Sequence, residues 1–315
     1  MSRVPVQSQG EVPMQPRSGV PVQQTSVAVL PRKRMSSIRA TRAAQRTAIY
    51  AVLVVASIAF LFPLFWMVST SLKAKEQVMA VPPQLIPNPI EWSNYPEAMT
   101  APDFNFPLLL KNTMAYAVFE TFGIVISCVL VAYSFARMRW PGRDFFFILT
   151  LASMMIPGTV TLVPVFIFFK EIGWYGSMAP LIVPGFFGSA FNIFLLRQFF
   201  MTIPIELTEA ARVDGASHWR ILWQIVAPLA KPAIATITLF EFLYCWTDFM
   251  GPLIYLSKES LYTLSLGLYA FRGRWEIRYD LMMAAAMVVT LPILILFFLA
   301  QRTFIEGIAL TGVKG

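Results

Sequence analysis

Six continuous runs of apolar residues, each long enough to cross a bilayer as a helix, constrain this chain more than any other feature. They lie near Ala48–Ser69, Thr113–Ala136, Phe145–Phe169, Met178–Leu196, Ile234–Leu256 and Leu281–Ala300. A hydrocarbon layer ~30 Å thick takes about 20 residues rising ~1.5 Å each. In lipid every backbone polar group needs a partner inside the protein, which leaves helices or closed barrels. The runs are continuously apolar and do not alternate with period two, so they predict helices. The expected fold class is an all-α integral membrane protein with six transmembrane helices. Composition agrees, since 57% hydrophobic and 13% charged residues over 315 positions lie outside the range of a soluble domain.

A net charge of +8 does not point to nucleic acid, because the basic excess sits before the first run and in short loops. The tail carries Arg3, Arg17, Arg32, Lys33, Arg34, Arg39, Arg42 and Arg46. Arg137, Arg139 and Arg143 follow the second run; Arg197, Arg212, Arg220 and Lys231 follow the fourth; Arg302 and Lys314 follow the sixth. This side holds most of the 25 Lys and Arg residues, which makes it cytoplasmic. Both termini are then inside, in a multi-pass membrane protein. Residues 1–46 read as a disordered basic tail and 47–315 as the six-helix domain. Arg32-Lys33-Arg34 is placed to hold the first helix at an anionic leaflet. The first run is longer than a signal-peptide core and reads as a retained anchor. Cys128 and Cys245 fall inside apolar runs without CxxC spacing and read as small buried hydrophobes.

On the outer side, Ser71 to Asn112 carries Pro82-Pro83, Pro87, Pro89, Trp92 and Tyr95, and Ser257 to Asp280 carries Tyr262, Tyr269, Phe271, Trp275 and Tyr279. An interfacial aromatic belt and a docking face for an extracytoplasmic partner both fit these rings. Pro63, Pro157, Pro164, Pro180, Pro184, Pro252 and Pro292 interrupt the runs. Each removes a helix hydrogen bond, which suits a bundle that changes shape and also suits a static bundle of kinked helices.

The cytoplasmic loop 197–231 is long enough to hold a helix outside the bilayer. Ile205 to Asp214 has good helix formers, Glu206 and Glu209 in its early turns, Pro204 near its start and Gly215 at the C-cap position. Ala210 and Ala211 have almost no bulk, so the helix can seat closely in a cleft while Glu209, Arg212 and Asp214 supply charged contacts. An amphipathic connector fits the same pattern. His218, the single histidine, reads as a solvated or packing residue and not as a ligand.

Glu209-Ala210-Ala211, Gly215 and Ile225-Val226-Ala227-Pro228 resemble the EAA motif of binding-protein-dependent ABC permeases, with Ala227 where that family usually has Leu. Ser71-Leu72-Lys73, Asn112-Thr113, Ala132-Tyr133-Ser134-Phe135-Ala136-Arg137, Pro157-Gly158, Trp246-Thr247-Asp248-Phe249 and Gly312-Val313-Lys314-Gly315 extend the resemblance over nearly everything after residue 60. Together they are similar to the maltose-type subfamily of carbohydrate and glycerol-phosphate importers. The resemblance implies the type I importer permease fold, a second homologous permease subunit, an ABC ATPase dimer that holds ATP and Mg in place of this chain, and an extracytoplasmic solute-binding protein. It assigns Glu209, Ala210, Ala211, Arg212, Asp214, Gly215 and Pro228 to ATPase coupling, and it suggests that Thr311 to Gly315 reaches toward the ATPase interface. Thr247 stands where the family usually has Asn.

Glu120, Glu241 and Asp248 lie within apolar runs, where a carboxylate costs about 2.5–3.5 kcal/mol and should face protein or water. Glu241 and Asp248 are two turns apart on one helix, predicting a shared face with Tyr244 between them. That face either lines the translocation pathway or bonds to a helix of the partner permease. No GxxxxGK[ST] loop occurs, so no Walker-type ATPase site is expected in this chain. A proton-coupled secondary transporter would use the three acids but leaves the EAA loop unexplained. An intramembrane hydrolase lacks its signature, since no Ser/His/Asp, HExxH or paired-Asp pattern falls in the runs.

Overall fold

The computed structural model of the chain describes residues 32–272 and 277–312, with side chains over 44–272 and 277–301. Among these residues regular structure is helical, with one isolated antiparallel bridge between Arg272 and Ile277. The chain divides into two units, Met1–Phe60 and Leu61–Gly315.

Helix α1 (Arg32–Ser71) begins well before the apolar run. Its segment around Arg39 to Arg46 is rich in Ala and Arg, which propagate helix readily, so helix extends into the part of the tail read as disordered. Residues 1–31 lie outside the described residues, as do Trp275, the side chains of Arg32-Lys33-Arg34 and those of the Thr311–Gly315 tail. In the first unit Ile49, Val52, Leu53 and Phe60 are all exposed. Exposed apolar side chains of this kind suit lipid or another subunit.

The second unit is built on α2 (Phe106–Arg137), whose N-cap Asn105 accepts a bond from the Leu108 amide at 3.3 Å. Leu109, Thr113, Tyr116, Ala117, Glu120, Ile124 and Cys128 recur at helical spacing on its buried face. That face packs against α5 (Ala190–Thr202), α7 (Lys231–Thr247) and the 3-10 turn Val183–Phe187. Gly123 and Gly185 make the approach possible: a Cβ at Gly185 would lie 3.0 Å from the Glu120 carbonyl oxygen, and one at Gly123 would lie 2.6 Å from the Phe186 ring.

Four helical segments are long and apolar enough to cross a membrane unaided: Ala44–Ser71, Phe106–Arg137, Ala179–Thr202 and Tyr279–Gln301. The expected third span is not one helix. It is α3 (Arg143–Ser153) and α4 (Gly158–Glu171), bent by 98°. Pro157 has no amide hydrogen and disfavours helical geometry at Ile156, so an unbroken apolar composition hides a break. The fifth also differs from expectation. Helix α7 stops at Thr247, and α8 (Met250–Tyr255) starts beyond a break at Asp248. Counting α3 with α4, and the segment His218–Leu229 with α7, as one bent span each brings the total among the described residues to as many as six.

Polar side chains fasten the ends of the bundle opposite the loop 197–231. Asn94 Nδ2 donates to the carbonyls of Ser71 and Lys73 at 3.0 and 2.9 Å, and Asn112 Nδ2 donates to those of Ser260 and Tyr262, both at 2.9 Å. Thr113 Oγ1 accepts from the Leu264 amide at 2.8 Å. Lys73 is buried with its ammonium 4.1 Å from the Trp66 ring centroid, and burial pushes that ammonium below the ordinary lysine range. Arg278 bridges Asp280 at 2.7 Å and Glu97 at 3.2 Å. At the start of α9 (Tyr279–Gly312) this ties the segment Asn94–Thr100 to the last span. Within α9 the turn before Pro292 is braced by Trp246, whose Nε1 donates to the Val289 carbonyl at 3.1 Å.

Candidate functional site

Helix α6 (Ile205–Val213) projects from the end of α5 and carries the motif residues. Pro204 sits at its N-cap with φ −53° and ψ 133°, and Glu206 lies in its first turn, where the helix dipole favours an acid. Gly215 ends the helix in the left-handed region at φ +80°. The Ala216 amide donates to the Ala211 carbonyl at 2.9 Å and the Gly215 amide to the Arg212 carbonyl at 3.0 Å. These two bonds form a Schellman cap. Ala211 and Ala216 both pack on the adjoining apolar core, as that cap requires.

The helix presents its chemistry outward. Glu206, Glu209, Ala210, Arg212, Asp214 and Gly215 are exposed, and Val213 is 88% exposed. Nothing lies within 4 Å of where a Gly215 Cβ would be. Ala211 is partly buried against the core and Ala210 is exposed. Adjacent helical residues point about 100° apart, so one small residue clears the outer face and the other allows close packing within the chain.

Two residues at the end of α2 hold this helix at both of its ends. Arg137, itself buried, donates through Nη2 to the carbonyls of Phe200 and Ile203, immediately before α6. Tyr133 hydrogen-bonds His218 Nδ1 at 3.0 Å, just beyond it, with the rings edge to face at 6.0 Å. His218 is therefore half-buried and packed, not solvated. Ser217 caps the following turn His218–Ile221 by accepting from the Arg220 amide at 3.3 Å. A π-helical turn, Leu222–Val226, then leads into Pro228. Proline clashes with the carbonyl four residues back in an α-helix, and the wider turn relieves that clash. Pro228 is exposed while Ala227 is buried, so the Ala at the Leu position fills a core site. The segment His218–Leu229 meets α7 at 81°.

Inside the span region, Glu120, Glu241 and Asp248 gather around α2, α5 and α7. Cys245 donates its S–H to Glu120 Oε2 at 2.9 Å. Asn192 Nδ2 donates to Glu241 Oε1. Tyr116 donates its hydroxyl to Asp248 Oδ2 at 3.0 Å, and the Gly251 amide donates to Asp248 Oδ1 at 3.0 Å. Each of these acids is bonded to a side chain or amide of this same chain. Asp248 also leaves the helix, with φ −63° and ψ 118°, to cap the start of α8, so the simple two-turn face with Glu241 does not form. Tyr244 is the exposed member, at 62%. Thr247 Oγ1 donates to the Leu243 carbonyl at 2.8 Å on its own helix.

Sequence reasoning missed Arg137 and Tyr133 as tethers, Cys245 and Asn192 as partners of acids, and Asn94 as a clamp. A polar side chain beside an apolar run was the available signal, but it names no partner.

Residues 123–308 match the family described as "Binding-protein-dependent transport system inner membrane component". The arabinooligosaccharides transport system permease protein AraQ of Bacillus subtilis (strain 168) is 30% identical over 261 residues, covering 82% of this chain and 92% of that protein. The sn-glycerol-3-phosphate transport system permease protein UgpE of Yersinia pestis is 32% identical over 263 residues, 82% of this chain and 93% of that protein. Among solved structures, a bacterial ABC transporter involved in the import of the acidic polysaccharide alginate superposes with a TM-score of 0.74. It is 24% identical, with 83% of this chain and 97% of that chain covered. A structure of a bacterial alginate ABC transporter in complex with an alginate pentasaccharide-bound periplasmic protein gives a TM-score of 0.61 at 16% identity.

Proposed function

The chain belongs to the family of binding-protein-dependent transport system inner membrane components, and we propose that it carries a neutral sugar or oligosaccharide inward, driven through α6 by a separate ATPase. It is a permease subunit of an ABC importer. The observation that carries the coupling role is α6 itself: an outward-facing helix with charged and small residues, fixed at both ends to a spanning helix by Arg137 and Tyr133. A push on that helix would reach α2 and α5 through these bonds. Closure of an ATPase dimer that binds ATP and Mg would draw two such helices together, one from this chain and one from a homologous permease. The pathway would then exchange cytoplasmic for outer access. On this reading both termini and the loop 197–231 are cytoplasmic, and an extracytoplasmic binding protein delivers solute to the opposite side.

Charge supports the neutral solute class over the glycerol phosphate that the same family also carries. The span interiors carry Glu120, Glu241 and Asp248 and neither Lys nor Arg. Carboxylates in a low-dielectric region repel an anion, whereas they and the exposed Tyr244 hydroxyl can bond to sugar hydroxyls. The assembled importer in proteoliposomes, supplied with its binding protein, should take up a neutral oligosaccharide on ATP with no loss when a protonophore is added. Collapse on protonophore with ATP intact would favour a proton-driven carrier using these acids. Uptake of glycerol phosphate in preference to sugars would overturn the solute class.

A further inference from the structure

We propose that the cleft between the end of α2 and the start of α3 binds the phosphate of an anionic phospholipid headgroup. This cleft has a volume of about 340 Å³ and is lined by Arg139, Trp140, Gly142, Arg143, Asp144 and Phe145. It opens directly after the last residue of the α2 span, which places it at headgroup depth.

The wall is preformed. Trp140 Nε1 donates to Ser134 Oγ at 3.1 Å, and its rings pack against Phe135 and Phe146 at 5.8 and 5.9 Å. Charge in the cleft is unbalanced. Arg143 bonds Asp144 at 2.8 Å. Arg197 of α5 lies with its guanidinium 3.9 Å from the Phe147 ring centroid and senses Arg143 as a like charge and Asp144 as an opposite one. Arg143 and Arg197 thus both bear on the Asp144 carboxylate, Arg139 lines the same cleft, and an excess of positive charge there is relieved by an added anion.

The surroundings select a lipid over a free phosphate ion. Phe145, Ile148 and Leu149 on α3 are each more than half exposed, so acyl chains would lie beside a phosphate held in the cleft. A basic pocket with an apolar skirt at the end of a span is the chemistry that retains anionic headgroups. The proposal does not depend on the solute or on the coupling role of α6.

The test is native mass spectrometry of the complete importer, purified with phosphatidylglycerol and phosphatidylcholine as probes. Wild type should retain phosphatidylglycerol in preference, and Arg139→Gln/Arg143→Gln should lower that occupancy on the order of 10- to 30-fold at about 1 kcal/mol per basic residue. Arg139→Lys/Arg143→Lys should keep most of it. If the double glutamine variant does not assemble, Arg139→Gln alone, at an exposed position, should still give a several-fold loss. Equal retention by wild type and variant would overturn the proposal, and so would equal retention of phosphatidylcholine. Displacement by millimolar inorganic phosphate alone would reassign the cleft to a free anion and overturn the lipid assignment.

Discussion

The loop helix and the intramembrane acids treat polar side chains in opposite ways. On α6, Glu209, Arg212 and Asp214 point outward, and the bonds that hold the helix come from Arg137 and Tyr133 on another element. In the spans, Glu120, Glu241 and Asp248 point inward, and each is bonded to a neighbour in the same chain. The first group contributes nothing evident to the fold of this subunit, so its chemistry is left for a partner. The second group braces the bundle first, and any contact with a passing solute is added to that role. Mutations should therefore separate the two regions by what they damage: stability for the bracing groups, coupling alone for the outward ones.

The largest effect on stability belongs to the tether between the regions. Arg137→Met leaves two buried carbonyls without a charged donor and should cost roughly 3 kcal/mol or more, seen as a lower melting temperature of the purified importer with uptake lost in proportion. An unchanged melting temperature would show that the tether is not structural. Gly215→Leu sharpens the contrast from the other side. The chain itself has room for the side chain, so stability should fall by only about 1–2 kcal/mol for the left-handed backbone. Uptake should fall by at least ~10-fold if a partner packs there. Gly215→Asn, which tolerates that backbone, should retain more uptake than Leu; equal loss would point to strain alone.

Tyr133→Phe removes the bond to His218 and should cost about 1 kcal/mol while uptake remains measurable. Glu120→Gln keeps an acceptor for the Cys245 thiol and should change stability by less than Glu120→Ala, which orphans that group. Smallest of all, Glu209→Gln should leave stability within ~0.5 kcal/mol and shift only the ATP dependence of uptake.

How much of this could be read in the residues varies with the kind of signal. Apolar runs and the loop helix were legible, because membrane thickness and helix punctuation act locally: Pro204 and Gly215 mark the ends of α6 within a residue or two. The break in the third run was hidden because residues on both sides of Pro157 are equally apolar, and a proline in a membrane helix can either kink or divide it. Pro164 and Pro292 sit inside continuous helices, whereas Pro157 starts a new one. Asp248 was read as a position on a helix face because spacing assumes an unbroken helix; its carboxylate instead caps the next one. Long-range partners were least legible. Arg137 looked like one more topology-setting cation, and its contacts at Phe200 and Ile203 are more than sixty positions away.

Crosslinking from α6 in the assembled importer is the most direct test of the central claim. Cys128 and Cys245 are buried, so Ala210→Cys would supply an accessible thiol on the outward face. It should crosslink to the ATPase subunit, with a yield that changes when ATP is added. Labelling at position 210 without any crosslink to an ATP-binding subunit, in a complex that still transports, would contradict the account.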